Sequence, residues 1–171
     1  MEQHQYDIFR TQWGWFGLLG SEQGLVRTCL PMACKEAVQS RLLSDIPNAE
    51  RSKTAFSALK IKIDDYYKGS PVDFGNVEVC LADSSDFQQR VLTSLQRISY
   101  GEIVSYGQLA RLAGSSKAAR AIGRVMAQNQ LPLIIPCHRV IKADGSIGQF
   151  SAAGGTDTKK KMLELEKARL V

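Results

Sequence analysis

The chain has 171 residues, 44% of them hydrophobic and 23% charged, a composition that predicts a packed globular fold of one large or two small domains and excludes intrinsic disorder. No apolar run approaches the roughly 20 residues of a membrane helix, and the start, Met1-Glu-Gln-His-Gln5, has neither the basic nor the apolar region of a secretory signal. The expected setting is therefore cytoplasmic, or nuclear in a eukaryote. The net charge of +5 is unevenly placed: residues 86–171 carry 13 Lys+Arg against 6 Asp+Glu, and residues 1–85 carry 9 against 11. A basic half beside a weakly acidic one suits a face that meets a polyanion, although solvated surface lysine gives the same count.

Four cysteines, Cys29, Cys34, Cys80 and Cys137, are too few and too dispersed for a disulfide scaffold. Cys29 and Cys34 flank Pro31 at a spacing that suggests a metal clip. The only histidines are His4 and His138, however, so these cysteines read as buried thiols and no metal site is expected.

In chain order, the first half reads as a strand and helix scaffold. Trp13-Gly-Trp-Phe-Gly-Leu-Leu-Gly20 and Gly24-Leu-Val-Arg-Thr-Cys-Leu30 are β-rich runs joined at Ser21-Glu-Gln23. Between Asn48 and Tyr67, the residues Ala55, Phe56, Leu59, Ile63, Tyr66 and Tyr67 recur at helical spacing, and Gly69-Ser-Pro71 ends that helix. Val77-Glu-Val-Cys-Leu81 predicts one more strand. The composition shifts near Asp83-Ser-Ser85, which divides the chain into an α/β scaffold domain over 1–84 and a mostly helical domain over 85–171. The fold class is α+β.

The second half is better signposted. Ser85-Asp-Phe-Gln88 has the form of a capping box, and Phe87, Val91, Leu95 and Ile98 form one apolar stripe. Ser105-Tyr-Gly-Gln108 repeats the box and opens a short helix through Ala113, stopped by Gly114. Ser115 and Ser116 are candidate caps for a third helix to about Gln128. Two short helices around a tight glycine turn fit a helix-turn-helix and a plain helical hairpin equally well. Leu131-Pro-Leu-Ile-Ile-Pro136 fits a short buried strand, and Thr156-Asp-Thr158 precedes a last helix over Lys159 to Arg169.

Two segments carry chemistry. In the third helix, Ala118, Ala119, Ala121 and Gly123 leave almost no bulk, while Lys117, Arg120 and Arg124 are interleaved with them. Small residues allow close approach, and three cations suit phosphates better than a core. In Leu133-Ile-Ile-Pro-Cys-His-Arg-Val-Ile141, Pro136 would end strand pairing and leave Cys137 at an edge or turn where a thiol is reachable. His138 and Arg139 would add positive charge that favours thiolate.

Ile135-Pro-Cys-His-Arg-Val140 resembles the active-site signature of the O6-alkylguanine-DNA alkyltransferases. Gly101-Glu-Ile-Val-Ser-Tyr-Gly-Gln-Leu-Ala110 is similar to that family's tyrosine-bearing helix start, Lys117-Ala-Ala-Arg-Ala-Ile-Gly123 to its recognition helix, and Gln128-Asn-Gln-Leu-Pro132 to its asparagine hinge. The likeness covers about residues 86–166. Residues 1–85 resemble the family's variable N-terminal domain only in size and strand-helix content, for which the resemblance implies a ribonuclease H-like sheet.

The resemblance implies a monomer acting on double-stranded DNA, alone or cooperatively along it, that transfers an alkyl group from O6-alkylguanine, and from O4-alkylthymine, onto Cys137 after base flipping. The act is single-turnover direct-reversal repair and needs no cofactor. His138 would act on the thiol through a water, held by Glu166, a relay similar to hydrolase triads. Asn129 would order the active-site segment, and Tyr106 would press on the target phosphate and give a proton to the departing guanine. Arg120 would fill the gap left by the flipped base, and Lys117, Ala118, Ala119, Ala121, Gly123 and Arg124 would meet DNA. Pro132, Val140, Phe150, Ser151 and Lys159 would line the guanine pocket.

The chain departs from the family pattern at Phe150-Ser-Ala-Ala-Gly-Gly155, where a tyrosine is usual and two residues are extra. The alternative is a non-catalytic alkyltransferase-like lesion binder, which lacks the acceptor cysteine, whereas Cys137 is present. A sequence-reading regulator would want polar base-reading side chains that Ala118, Ala119, Ala121 and Gly123 do not supply. A zinc deaminase would want the missing Pro-Cys-x-x-Cys and His-x-Glu patterns.

Overall fold

Residues 2–170 are described by a computed structural model. The chain separates into two compact units, Met1–Val72 with Asn76–Cys80, and Asp73–Gly75 with Leu81–Val171.

In the first unit, β1 (Gln5–Thr11), β2 (Gly14–Ser21) and β3 (Gly24–Met32) form an antiparallel meander. The two-residue β4 (Glu50–Arg51) runs parallel to β1, giving the order β3-β2-β1-β4. The β2–β3 hairpin lies where the apolar runs predict it. β2 is apolar on successive residues because both of its faces are covered. Leu19 packs with Ile8, Cys29, Val38 and Leu42, the last two on helix α1 (Lys35–Leu42). On the other face, Phe16 meets Tyr67 of α2 (Ser57–Tyr67) at 6.1 Å between ring centroids, and Trp13 meets the same ring at 5.2 Å.

Three findings in this unit differ from the sequence-based expectations. β1 and α1 are elements that the periodicity does not reveal. The helix expected from Asn48 begins at Ser57, because the chain before it runs along β1: Glu50 N–H donates to His4 O at 2.9 Å and Ser52 N–H to Tyr6 O at 2.9 Å. The strand expected over 77–81 is a single bridge, Leu25 to Val79, flanked by Leu25 N–H to Glu78 O at 2.9 Å and Cys80 N–H to Leu25 O at 2.8 Å.

In the second unit, both capping boxes form. Ser85 Oγ accepts from Gln88 N–H at 3.3 Å while Gln88 Oε1 accepts from Ser85 N–H at 2.8 Å, opening α3 (Asp86–Gln96). The Ser105 and Gln108 pair does the same at 3.1 and 2.7 Å for α4 (Tyr106–Leu112). Between them β5 (Glu102–Ser105) is the middle strand of a small parallel sheet ordered β6-β5-β7, with β6 at Val140–Ile141 and β7 at Arg169–Leu170. Helix α5 (Ala119–Ala127) packs on α4 and α3 through Ile122, Val125 and Met126, at i, i+3 and i+4.

Here too there are corrections. Neither Ser115 nor Ser116 caps α5. The N-cap is Ala118, whose N–H closes a turn onto Ser115 O at 2.9 Å. Residues 131–136 are buried but form no strand: Leu133 sits at φ 76° and Ile135 N–H reaches back to Leu131 O at 2.8 Å. Pro132 and Pro136 supply no ladder donors, so the segment coils. The last helix, α6 (Gly155–Glu166), starts four residues before Lys159 and stops at Lys167, which takes a left-handed conformation at φ 49°.

Gly17 tests the first unit's packing. A Cβ there would lie 2.8 Å from Val38 Cγ1 and 3.1 Å from Leu42 Cδ2. Gly17→Ala should cost about 1–3 kcal/mol of stability. The double variant with Val38→Ala should lose less than the sum of the two single losses, measured by denaturant unfolding. Additive losses would show that the contact is not what demands glycine.

Candidate active site

Cys137 begins a single 3-10 turn, Cys137–Arg139, the turn alternative of the edge or turn expected after Pro136. The buried coil before it is tied by Asn129, whose Nδ2 donates to Ile135 O at 2.9 Å and whose Oδ1 accepts from Leu131 N–H at 3.0 Å. One side chain thus satisfies the backbone of a segment that has no ladder partner. Cys137 is 6% exposed, but that small area opens into a cavity of about 720 Å³.

The electrostatics of the thiol are mixed. Burial pushes the Cys137 pKa up, and four weaker influences pull it down: the Asn129 amide, the Lys159 cation, and the backbone N–H groups of Cys137 and His138. The lowering charge comes from neither side chain expected to supply it. Burial holds His138 below its usual pKa, so its imidazole is neutral. Arg139 is 4% exposed and committed elsewhere, its Nε donating to Glu166 Oε2 at 2.9 Å, its Nη2 to Glu166 Oε1 at 3.0 Å and its Nη1 to Ile98 O at 2.6 Å. Lys159 lies in the next layer. Its Nζ donates to Val140 O at 2.6 Å, and burial lowers its pKa to about 8.

Glu166 is the centre of this arrangement. Besides the Arg139 fork, it accepts from Gly101 N–H at 3.2 Å and lies 2.6 Å from His138 Nε2. Burial works to raise its pKa, but His138 and Arg139 outweigh that and hold it well below the usual carboxylate range. A carboxylate is acceptor-only, so the neutral His138 carries its proton on Nε2. Its Nδ1 is then a bare lone pair, buried without a hydrogen-bond partner among the described residues.

The cavity brings together many of the expected residues. Cys137, Tyr106, Phe150 and Ser151 line it, and Ala119, Arg120, Gly123 and Arg124 form its α5 side. The Tyr106 pKa is raised by burial and by the negative charge that Cys137 can carry. Pro132, Val140 and Lys159, expected in the pocket, are buried and are not lining residues; Val140 O is already taken by Lys159. Lys117 and Ala118 border a separate shallow groove at the α4–α5 turn, with Gly114, Ser115 and Ser116, and Ala121 is half-buried. Lys142, Gln149 and Thr156 line the cavity without having been foreseen. No periodicity marks them, because they meet only when the chain after β6 folds back onto α6.

Among the described residues, no group of three or more His, Cys, Asp or Glu side chains is placed to hold a metal, and no helix is long and apolar enough to cross a membrane.

Comparison with known proteins agrees with this geometry. Residues 86–168 match the family described as 6-O-methylguanine DNA methyltransferase, DNA binding domain. The methylated-DNA–protein-cysteine methyltransferase of Mycobacterium tuberculosis is 43% identical over 115 residues, 67% of each chain. That of Rattus norvegicus is 54% identical over 71 residues, 41% of this chain and 34% of the rat one. The crystal structure of Mycobacterium tuberculosis OGT in complex with DNA superposes with a TM-score of 0.77 at 33% identity, covering 95% of this chain and 92% of the other. Fold, buried cysteine and likenesses together define a DNA-repair enzyme that transfers alkyl groups. The chain belongs to the methylated-DNA–protein-cysteine methyltransferase family.

Glu166→Gln removes a charge and leaves the buried Arg139 cation unpaired. The expected cost is about 3–5 kcal/mol, a fall in Tm on the order of 10 °C. Because the folded pKa of Glu166 is depressed, its contribution is full above the ordinary Glu value of about 4.3 and is lost as pH falls through the folded value. Thermal melting between acid and neutral pH should show the Glu166→Gln deficit shrinking on acidification. A deficit independent of pH would show that shape rather than charge holds the site.

Proposed function

We propose that the protein repairs O6-alkylguanine, and O4-alkylthymine, in duplex DNA by moving the alkyl group to Cys137 in a single turnover. The observation that carries this is the placement of the Cys137 sulfur in a cavity whose α5 side presents Arg120 and Arg124 beside small residues. A Cβ at Gly123 would meet nothing within 4 Å, so internal packing does not demand glycine there. The smallness of this stripe instead suits the close approach of another molecule, and its cations suit phosphates.

On this reading α4, the Gly114 turn and α5 act as a helix-turn-helix whose second helix faces DNA, with Lys117 and Ala118 at the turn on the backbone. The order β3-β2-β1-β4 with parallel β4 supports placing the first unit among ribonuclease H-like sheets as a scaffold. The target base leaves the stack, Arg120 enters the gap, and the base occupies the cavity, where Phe150 and Ser151 meet it.

Through a bridging water, His138 Nδ1 takes the Cys137 proton, and the imidazolium formed is stabilised by Glu166. The sulfur attacks the alkyl carbon, the carbon–oxygen bond breaks toward the guanine, and Tyr106 supplies a proton to the leaving base. Lys159 stabilises the thiolate. The thioether has no nearby group able to cleave it, so the act is single-use.

Intact-mass and peptide mapping after incubation with O6-methylguanine duplex should show one methyl gained, on Cys137. Cys137→Ser should gain none while still binding DNA. A methyl on Cys29, Cys34 or Cys80 would reject the assignment. Arg120→Ala should slow transfer from duplex roughly 10–100-fold, since unstacking costs a few kcal/mol, and leave transfer from free O6-benzylguanine nearly unchanged. Equal slowing on both substrates would remove the intercalating role.

A further inference from the structure

The cavity contains a third cation for which the proposed mechanism has no use. Lys142 follows β6 and is exposed, and it lines the same space as Cys137 and Tyr106. Its backbone is fixed in a tight turn, with Lys142 N–H donating to Ser146 O at 3.0 Å and Gly145 N–H to Lys142 O at 3.0 Å. Its side chain runs over Gly148: a Cβ built on that glycine would lie 3.6 Å from Lys142 Cγ, 3.8 Å from its Cε and 3.5 Å from the Tyr106 hydroxyl. The lysine stem and the tyrosine hydroxyl therefore converge on one glycine, whose φ of 76° also disfavours any side chain there.

The ionisable lining at this place is dominated by cations. The lining of the cavity includes Arg120, Arg124 and Lys142 and no Asp or Glu. Asp144, two residues on, feels the Lys142 charge, but its carboxylate accepts from Ser146 N–H at 2.9 Å and Ser146 Oγ at 2.7 Å. Lys142 makes no salt bridge among the described residues. A neutral guanine calls for no cation at the cavity mouth, whereas the phosphates attached to an extruded nucleotide do. Arg120 and Arg124 come from α5, the element that meets the duplex; Lys142 comes from the turn after β6, beside Tyr106.

We propose that Lys142 binds a phosphate flanking the extruded nucleotide, at the place where its stem runs beside the Tyr106 hydroxyl, and holds the lesion in the cavity while Cys137 reacts. This contact rests on the base-extrusion reading above. Its chemical partner is a phosphodiester on the lesion nucleotide, distinct from the phosphates met by α5. Lys142 is then a positioning cation that distinguishes a lesion carried on a DNA backbone from the same lesion as a free base.

The test compares wild type, Lys142→Ala and Lys142→Arg on three substrates. These are free O6-benzylguanine, an O6-methylguanine duplex, and the same duplex with a neutral methylphosphonate replacing the phosphate 5′ or 3′ of the lesion. Lys142→Ala should slow transfer from the normal duplex about tenfold, the size of one charge-assisted hydrogen bond, and leave the free base unchanged. Lys142→Arg should restore most of the rate. One of the two methylphosphonates should slow wild type by a similar factor and slow Lys142→Ala no further. Equal loss on the free base, no loss on the duplex, or additive losses with both methylphosphonates would overturn the contact. Failure of wild type to alkylate Cys137 from free O6-benzylguanine would instead overturn the pocket reading, and this contact with it.

Discussion

Glu166 sits where four parts of the second unit meet, and each depends on its charge. Arg139 reaches it from the 3-10 turn and continues to the carbonyl of Ile98 behind α3, Gly101 meets it ahead of β5, and His138 meets it from the position next to Cys137. A carboxylate buried without partners would take up a proton. Here the Arg139 Nε and Nη2 groups, Gly101 N–H and His138 Nε2 satisfy it, and the guanidinium supplies the compensating charge. The pairing of Arg139 with Glu166 is thus a structural condition for a neutral His138 with its proton on Nε2, and the chemical asymmetry of that ring follows from the packing of α6.

Cys137 occupies a position of opposing influences. Burial raises its pKa, while the Asn129 amide, Lys159 and the N–H groups of the 3-10 turn lower it. Lys159 itself pays a desolvation cost and has its pKa brought down to about 8, so it remains a cation near neutral pH and loses that charge in mildly alkaline solution. The resting group is a thiol with a prepared thiolate environment. Its acidity is set first by burial and then by the Asn129 amide, Lys159 and the backbone dipoles, all fixed before any ligand arrives.

Local signals with a direct geometric meaning were legible in the sequence. The Ser85–Gln88 and Ser105–Gln108 boxes predict helix starts that the structure has, and the apolar run over 13–20 predicts the hairpin, because caps and strand patterns act within a few residues. Segments whose shape is set by distant partners were not. Leu131–Pro136 reads as a strand, yet Asn129 and two prolines fold it into a buried coil. β1 is obscured by Asp7, a carboxylate 2% exposed within the strand and held by Lys60 at 2.7 Å. α1 shows only Val38 and Leu42 as buried positions, too short a stripe to stand out. For the site, the resemblance singled out Cys137, His138, Glu166 and Asn129, which the fold brings together. Arg139 was read as a charge for the sulfur, since sequence adjacency does not reveal that its side chain points into the core.

The small opening over Cys137 bears on how such a protein survives its own chemistry. A cysteine sulfur is open to any electrophile or oxidant that reaches it as thiolate. Cys34 is exposed and lies 3.2 Å from Glu36, whereas Cys137 shows 6% of its surface and is held toward its protonated form by burial. Dissolved reagents therefore meet the exposed Cys34 first, and access to Cys137 is set by what enters the cavity. The burial that disfavours ionisation of this thiol also shields it, since whatever reaches the sulfur must first fit the cavity.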